Sequence, residues 1–534
     1  MTATESSPRS ADAPAPLSPP AGPGASPAGR WLIAAATVLV ALALVVHVAP
    51  WVTKGFGVSY EGYNGAMWGI GARGAVEEPI GNRLGGIQAT GRPYVHHPPL
   101  LMWTTAVAAG VTGERPVALR AAPLLASLAA LALLILLLRD AGCSSPAIAG
   151  GVVVAGTTGM FLTYGAMIDT PVFSLPFGLA ALAAAQRAWQ GRAPATGLLM
   201  ACGALATLSG WQAALVAGLA AGACLLSPDR ASRRAGHALA GGVVLGTAAT
   251  AAWVLWTVGS FREMADQAVL RTGGDVGWSA WIDRQDRFLG DLFGWPVVAL
   301  TAIGLGLALW GRRSAADERT GSRAGDGPDL DSPPRGGAGS WGGLRPVAAV
   351  LIVGVAGYSV ALRQASAVHD YWTFWGVALV AVAVAATVGG LERVAARTSS
   401  RTAAVALHGL AVVVVAGLVV GGVARRSDAD AALREGLDAV PVLEAAVRIA
   451  REGDGAGPLV VRNSSESRAP WADWATDRRP ELPTTAELAQ LDGDRLLFIQ
   501  TAGPPTPEVE VAALAVEGRY AILRVDDYRA VIGG

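Results

Sequence analysis

Two histidines stand directly before two prolines in Tyr94-Val95-His96-His97-Pro98-Pro99-Leu100, downstream of Tyr60-Glu61-Gly62-Tyr63. Proline fits the first turn of a helix and not its interior, so this run predicts a helix that starts at Pro98. The free N–H groups and positive dipole end of such a helix point back at His96 and His97, which draws an anion, most naturally a phosphate. His97, adjacent to Pro98, can donate a hydrogen bond to a phosphate and, if protonated, pair with it. Its plain alternative is a structural histidine. Glu61 sits among aromatic residues close to an apolar run; partial desolvation there suits a general base, against the alternative of a solvated loop acid. Asp169, in Tyr164-Gly165-Ala166-Met167-Ile168-Asp169-Thr170-Pro171, is the only acid between two apolar runs. An ionisable residue at the edge of a span is a functional candidate. Asp before Thr-Pro is also a good helix cap, and the two roles are compatible. His369-Asp370-Tyr371-Trp372 enters a late apolar run, as a polar contact or as a membrane-boundary anchor. Arg271, with Arg284 and Arg287, can steer a phosphate or be solvated surface charge.

The elements that must hold these residues are those of a membrane. The chain has 534 residues, 52% hydrophobic and 15% charged, where soluble domains carry roughly 25% charged residues. Net charge is zero, which removes the electrostatic support for nucleic-acid binding. Arginine supplies almost all the positive charge, with Lys54 the lysine present. The three cysteines, Cys143, Cys202 and Cys224, lack CxxC spacing, so neither a disulfide framework nor a zinc site is expected. His96 and His97, being adjacent, do not share a face for a metal, and HxxxH and HExxH are absent.

Residues 1–30, rich in Pro, Ala and Ser, read as a disordered tail. Apolar spans follow near 31–49, 117–138, 147–164, 172–190, 195–208, 211–226, 237–258, 295–310, 346–362, 372–390 and 403–423. The thirteen-residue stretch 100–112 is short for a span and reads as an interfacial helix. With the N-terminus cytoplasmic, Arg139, Arg187, Arg192, Arg230, Arg233, Arg234, Arg312, Arg313, Arg393, Arg397 and Arg401 fall inside, as the positive-inside rule asks, while Arg425-Arg426 fall outside, against it. The outer loops are then 50–116, 165–171, 259–294 and 363–371, and 311–345 is a flexible cytoplasmic loop. Glu61, His97, Asp169, Arg271 and His369 all lie on that outer side. Residues 424–534 change composition and read as a soluble α/β domain, with a helix near 428–451 and strands near 458–462, 495–500 and 520–525.

The order of features resembles a known family. An acid in the first outer loop precedes x-x-Pro-Pro-Leu, then Gly113-Glu114 and Arg120 before a span, then Asp169-Thr170-Pro171, then His369-Asp370-Tyr371. This resembles the GT-C superfamily of glycosyltransferases, in its family 39-like group of protein O-mannosyltransferases and lipid A aminoarabinose transferases, over roughly residues 31–390. The resemblance implies an α-helical polytopic membrane protein of about 11 transmembrane helices in residues 31–423, with outer loop 50–116 catalytic. It implies transfer of a sugar from a polyprenyl-phosphate donor on the extracytoplasmic face of the cell membrane. By position, Glu61 and Asp169 match the two catalytic acids. His97 stands where many relatives have a lysine that contacts the donor phosphate, and His369 and Tyr371 match a late polar-aromatic motif. His96, His97, Arg271, His369 and Tyr371 are thus the expected phosphate contacts. Relatives usually show Asp-Glu where this chain has Tyr60-Glu61. No cofactor is required, although Glu61, Asp169 and a phosphate could together hold a divalent cation. Besides the donor and the lipid bilayer, the partner is an acceptor of open identity (protein, glycan or lipid), and not a nucleic acid. The C-terminal domain is expected outside the cell and has no counterpart in the resemblance. A transporter would show charges within spans and internal repeats; the spans carry almost no charge and no repeat is seen. A sensor acting through residues 424–534 would leave Glu61 dispensable.

Overall fold

The computed structural model describes residues 26–87, 93–273, 276–310, 343–425, 427–452, 457–462, 469–476 and 481–533. Residues 1–25 of the expected tail and 311–342 of the expected inner loop lie outside the described residues.

The chain enters through α1 (Pro27–Val48). In the long connection that follows lie α2 (Tyr60–Glu77), capped by the Ser59 hydroxyl, and α3 (Leu100–Thr112). α3 starts two residues after the expected Pro98, with Pro99 at the cap position. The reason is local: a residue that precedes proline is pushed out of the helical region, and Pro98 precedes Pro99. At thirteen residues, α3 is roughly 20 Å long, too short for a bilayer core of about 30 Å. α4 (Pro116–Asp140), α5 (Ser145–Gly156) and α6 (Gly159–Tyr164) follow, the last two separated at Thr157-Thr158. α7 (Thr170–Trp189) is capped by Asp169, and α8 (Thr196–Ser209) and α9 (Trp211–Leu225) form a hairpin at Gly210. α10 (Arg230–Val258), α11 (Arg262–Thr272), α12 (Trp278–Leu292) and α13 (Trp295–Trp310) lead to the undescribed loop. Beyond it come α14 (Leu344–Ala361), α15 (Arg363–Val368), a 3₁₀ turn at Asp370–Thr373, α16 (Gly376–Arg397) and α17 (Arg401–Ala424).

Six of the described helical stretches are long and apolar enough to cross a membrane, those of α1, α4, α10, α14, α16 and α17. A seventh arises if α12 and α13, bent by 103° at their junction, count together. The expected spans at α5, α8 and α9 are shorter apolar helices, as is α3. The expected number of about 11 therefore includes helices that do not reach full span length by themselves. The apolar core joins α1, α4, α5, α7, α9, α14 and α16 through residues such as Leu44, Leu134, Val152, Leu179, Val216, Leu351 and Val382.

The helices have two distinct ends. At one end Arg187 and Gln190 of α7 meet Asp140 of α4, and Ser232 of α10 donates to the Ala188 carbonyl. At the other end lie the start of α2, Asp169, the Gly210 turn and the 363–373 segment. Asp169 and Arg187 thus lie at opposite ends of α7.

The chain closes in α18 (Asp428–Leu437), α19 (Ala439–Arg451), a four-stranded sheet, and α20 (Pro470–Thr476), which falls between β1 and β2. Its strands are β1 (Val460–Arg462), β2 (Leu496–Gln500), β3 (Ala515–Glu517) and β4 (Tyr520–Arg524), in the order β1-β2-β4-β3. β1 pairs with β2 in parallel and the other pairs are antiparallel. The expected single helix over 428–451 is two helices meeting at Asp438. This region shares a core with the first connection: Phe56, Met67 and Trp68 pack in one cluster with Leu443, Trp471, Phe498 and Tyr520.

Candidate functional site

α2 organises the site through its periodicity. Residues at i, i+3, i+4 and i+7 share one helical face, and Tyr60, Tyr63, Asn64 and Met67 all line one cavity of about 520 Å³. The remaining walls bring together His96 and His97 from the segment before α3, Asp169 at the start of α7, Gln267 and Arg271 from α11, and His369, Tyr371 and Trp372 from the late segment. Six candidates from four separate stretches of sequence (His96 and His97, Asp169, Arg271, His369 and Tyr371) therefore share one space.

Each is held by its neighbours. Asp169 Oδ1 accepts a hydrogen bond from Thr170 N at 2.6 Å, so it caps α7 and faces the cavity at once. Thr170 Oγ1 lies 3.5 Å from His97 Nδ1, which links the two candidates through one hydroxyl. The backbone carbonyl of His96 accepts from the Trp211 indole at 2.9 Å, tying the pre-α3 segment to the α8–α9 turn. His369 packs against Tyr60 and Tyr371 at ring-centroid distances of 5.5 and 5.1 Å. The Arg271 guanidinium lies 5.1 Å over the Trp372 ring, a cation–π contact that aims it into the site. The late segment is fixed from outside by α12: Trp281 donates to Ser366 Oγ, Gln285 to the Ser366 carbonyl and Arg284 to the Ala367 carbonyl. Arg284 thus serves the scaffold, and Arg287 lines a different cavity.

Burial sets the protonation states. It pushes Asp169 up to about 6, against the Thr170 hydrogen bond and the Arg271 charge, which pull it down. Burial, reinforced by His96, Arg271 and His369, holds His97 well below the usual histidine range. Burial and then Arg271 lower His369 to about 3. Near neutral pH these two imidazoles are hydrogen-bonding groups and not cations, leaving Arg271 as the fixed positive charge on the cavity wall among the described residues.

Glu61 is placed differently from the others. One residue along α2 from Tyr60, it is rotated by about 100°, away from the Asp169 cavity. Both its oxygens are taken by Arg120, with Nε to Oε1 at 2.7 Å and Nη2 to Oε2 at 3.0 Å. Arg120 is fully buried and also donates to the Val52 and Lys54 carbonyls at 3.1 and 2.6 Å. This pair staples α4 to the start of the first connection. Glu61 borders a second, smaller cavity of about 250 Å³ with Tyr164, Arg287, Asp291, Asp370 and Asp428. Tyr60 is common to both cavities. Glu61 and Asp169 consequently do not converge on one ion, and no group of three or more His, Cys, Asp or Glu among the described residues is arranged to hold a metal. The two acids named as a possible divalent-cation pair therefore line different cavities.

Comparisons with known proteins bear on the fold that holds this site. Residues 96–256 match the family model of dolichyl-phosphate-mannose-protein mannosyltransferases. The structure of ArnT from Cupriavidus metallidurans in the apo state superposes with a TM-score of 0.53 at 14% identity, covering 94% of this chain and 98% of that one. The chain has the GT-C glycosyltransferase fold. Its GT-C match to the same ArnT bound to undecaprenyl phosphate has a TM-score of 0.54 at 14% identity, over 93% and 98% of the two chains. The apo oligosaccharyltransferase of Archaeoglobus fulgidus matches with a TM-score of 0.51 at 13% identity, over 86% of this chain and 65% of that one. Among curated proteins none matches in sequence. The likeness of fold to ArnT spans 94% of this chain and so reaches the C-terminal region, for which the motifs offer no counterpart.

Several residues of the site escaped sequence reasoning. Tyr63, Asn64 and Met67 fall in the expected outer loop 50–116, although their i+3, i+4 and i+7 spacing from Tyr60 is a helical signal. Gln267 lies one turn before Arg271 and could have been found from that spacing. Arg120 was noted only as part of a motif; nothing local in the sequence says that it reaches Glu61.

Proposed function

We propose that the protein is an inverting glycosyltransferase that takes a sugar from a polyprenyl-phosphate donor on the extracytoplasmic side of the cell membrane. The observation that carries this reading is the single cavity shared by Asp169, His97, Arg271 and His369 at one end of an apolar bundle. The donor's lipid tail would lie among the helices and its phosphate against Arg271 and the His97 N–H. Asp169 is the proposed general base. It takes the proton of an acceptor hydroxyl as that oxygen bonds to the anomeric carbon. The bond from that carbon to the phosphate oxygen breaks on the opposite face, and polyprenyl phosphate leaves with the electron pair. A base of this kind contributes roughly 10²–10⁴-fold, and donors already aimed at the leaving oxygen add to it without reorganisation. Glu61, engaged by Arg120, positions α2 in this scheme. The ArnT structure with undecaprenyl phosphate supports a lipid-phosphate donor by likeness of fold. Arg139 and Arg187 at the bundle end away from the cavity support a cytoplasmic N-terminus and an external site.

The test is reconstitution of the wild type, Asp169→Asn and Glu61→Gln with labelled polyprenyl-phosphate sugars, following release of the carrier. Asp169→Asn should fold and lose about 10²-fold or more in kcat. Glu61→Gln should retain turnover per folded molecule while losing stability. Full turnover in Asp169→Asn would reject the assignment.

A further inference from the structure

We infer that a separate cavity, between α19 and the edge of the bundle, holds the headgroup of a membrane phospholipid that carries both a phosphate and an ammonium. The site is independent of the glycosyl-transfer reading. The cavity is about 700 Å³ and shares no lining residue with the Asp169 cavity or with the one beside Glu61. Its floor includes Thr53 and Phe56 of the first connection and Pro116, the first residue of α4; its roof is α19 with Trp474 of α20. α1 ends at Val48 and α4 starts at Pro116, and both helices are long and apolar enough to span. The floor therefore sits where two spans leave the hydrocarbon, which is the level of lipid headgroups. Further along α4, Val117 and Leu125 are exposed, an apolar surface that acyl chains can cover.

Helical period lays out the roof. Val440, Leu443 and Val447 face the cavity at i, i+3 and i+7, and Glu444, Arg448 and Arg451 join them on that side. Arg448 and Arg451 lie in the last turn of α19, and neither has an ion pair among the described residues. Glu444 and Glu452, on the same wall, have none there either. Arg73 completes the positive side, held by Glu114 at 2.6 Å and stacked over the Trp474 ring at 4.4 Å. Guanidinium groups match phosphate oxygens in pairs, and a carboxylate accepts from an ammonium. A headgroup with both charges answers both halves of the wall, whereas a purely anionic one would lie against Glu444 and Glu452. Free phosphate would leave the apolar part, Phe56, Leu443 and Trp474, uncovered. Basic pockets at the ends of spans are known to take lipid headgroups. A lipid seated here touches the first connection and the C-terminal region at once, so it stabilises their contact by mass action.

The experiment titrates the full-length protein, purified in detergent and stripped of lipid, with phosphatidylethanolamine, phosphatidylglycerol or inorganic phosphate. Native mass spectrometry reads retention, and thermal melting reads stabilisation. Phosphatidylethanolamine should bind about tenfold or more tighter than phosphatidylglycerol and should raise the melting temperature. Arg448→Ala combined with Arg451→Ala should weaken that binding by about tenfold or more, through loss of charge-assisted hydrogen bonds. Glu444→Gln should bring the two lipids towards parity. All three positions are exposed, so lipid-free melting of the variants should match the wild type, which separates lost binding from lost folding. Equal or tighter binding of phosphatidylglycerol by the wild type overturns the inference. So does stabilisation by inorganic phosphate equal to that by lipid, which would make this a plain anion site. Absence of lipid retention in the wild type, or unchanged binding in the double variant, overturns it as well. The comparison of the three ligands on the wild type decides the matter even where a variant fails to fold.

Discussion

Asp169 caps α7 and faces the cavity with one carboxylate, and as the proposed base its pH behaviour follows from where it is held. A base must be deprotonated to work, and burial raises this group to about 6. Turnover should therefore fall as pH drops through about 6, well above the range of an ordinary exposed carboxylate. The pH profile of kcat/KM checks this: an acidic limb near 6 is expected, and one near 4 would point to a different base. His97 and His369, both lowered by burial, should add no limb between 6 and 8. At this scale the sequence was informative for residues whose type is out of place in an apolar chain. Asp169, His96, His97, Arg271, His369 and Tyr371 were singled out by charge or by location at a span edge, and the cavity collects all six. Glu61 satisfied the same criteria yet faces Arg120. A single residue's step around a helix decides which wall it joins, and residue type carries no trace of that.

α2 is the element on which the two halves of the molecule meet. Its cavity face carries Tyr60, Tyr63, Asn64 and Met67. Its opposite face carries Gly65, Gly69 and Arg73, spaced by four residues, against Phe56 and Trp474. Gly69 has no room for a side chain, since a Cβ there would come within 2.7 Å of the Trp474 ring. Arg73 stacks over the same ring at 4.4 Å. The small residues let α20 seat directly on α2, so the C-terminal region supports the wall that faces the substrate. Gly69→Val should destabilise by about 1–3 kcal/mol through overpacking and should free the C-terminal region from α2. Thermal melting together with limited proteolysis of residues beyond 425 would show both effects, and wild-type melting and protection in this variant would contradict the packing argument. The element was half visible beforehand. Its apolar and glycine content is not that of a solvated loop, but lying between a span and the proline pair it offered no long hydrophobic stripe to announce a helix.

At the scale of the whole molecule, hydropathy recovered the helical membrane architecture, and six of the expected spans have the length and hydropathy of a full span among the described residues. Helices α5, α8 and α9 are apolar but short; they are buried against longer neighbours such as α10 and α16, and composition alone cannot separate such a helix from one that crosses by itself. The strands β1, β2 and β4 fell where alternation and flanking turns put them, while the three-residue β3 was too short to signal. Sidedness is a separate matter, argued from charge: the Arg139 and Arg187 end should be cytoplasmic. A reporter fused after residue 430 should be active only outside the cytoplasm, and cytoplasmic activity would invert the proposed orientation of the site. On the proposed reading a lipid-borne phosphate is received where Asp169, His97 and Arg271 meet. The structure with polyprenyl phosphate bound is the decisive measurement. Phosphate oxygens should lie within hydrogen-bond distance of the Arg271 guanidinium and the His97 ring, in the cavity lined by Asn64. A phosphate seated in the smaller cavity beside Glu61, or nowhere near Asp169, would contradict it.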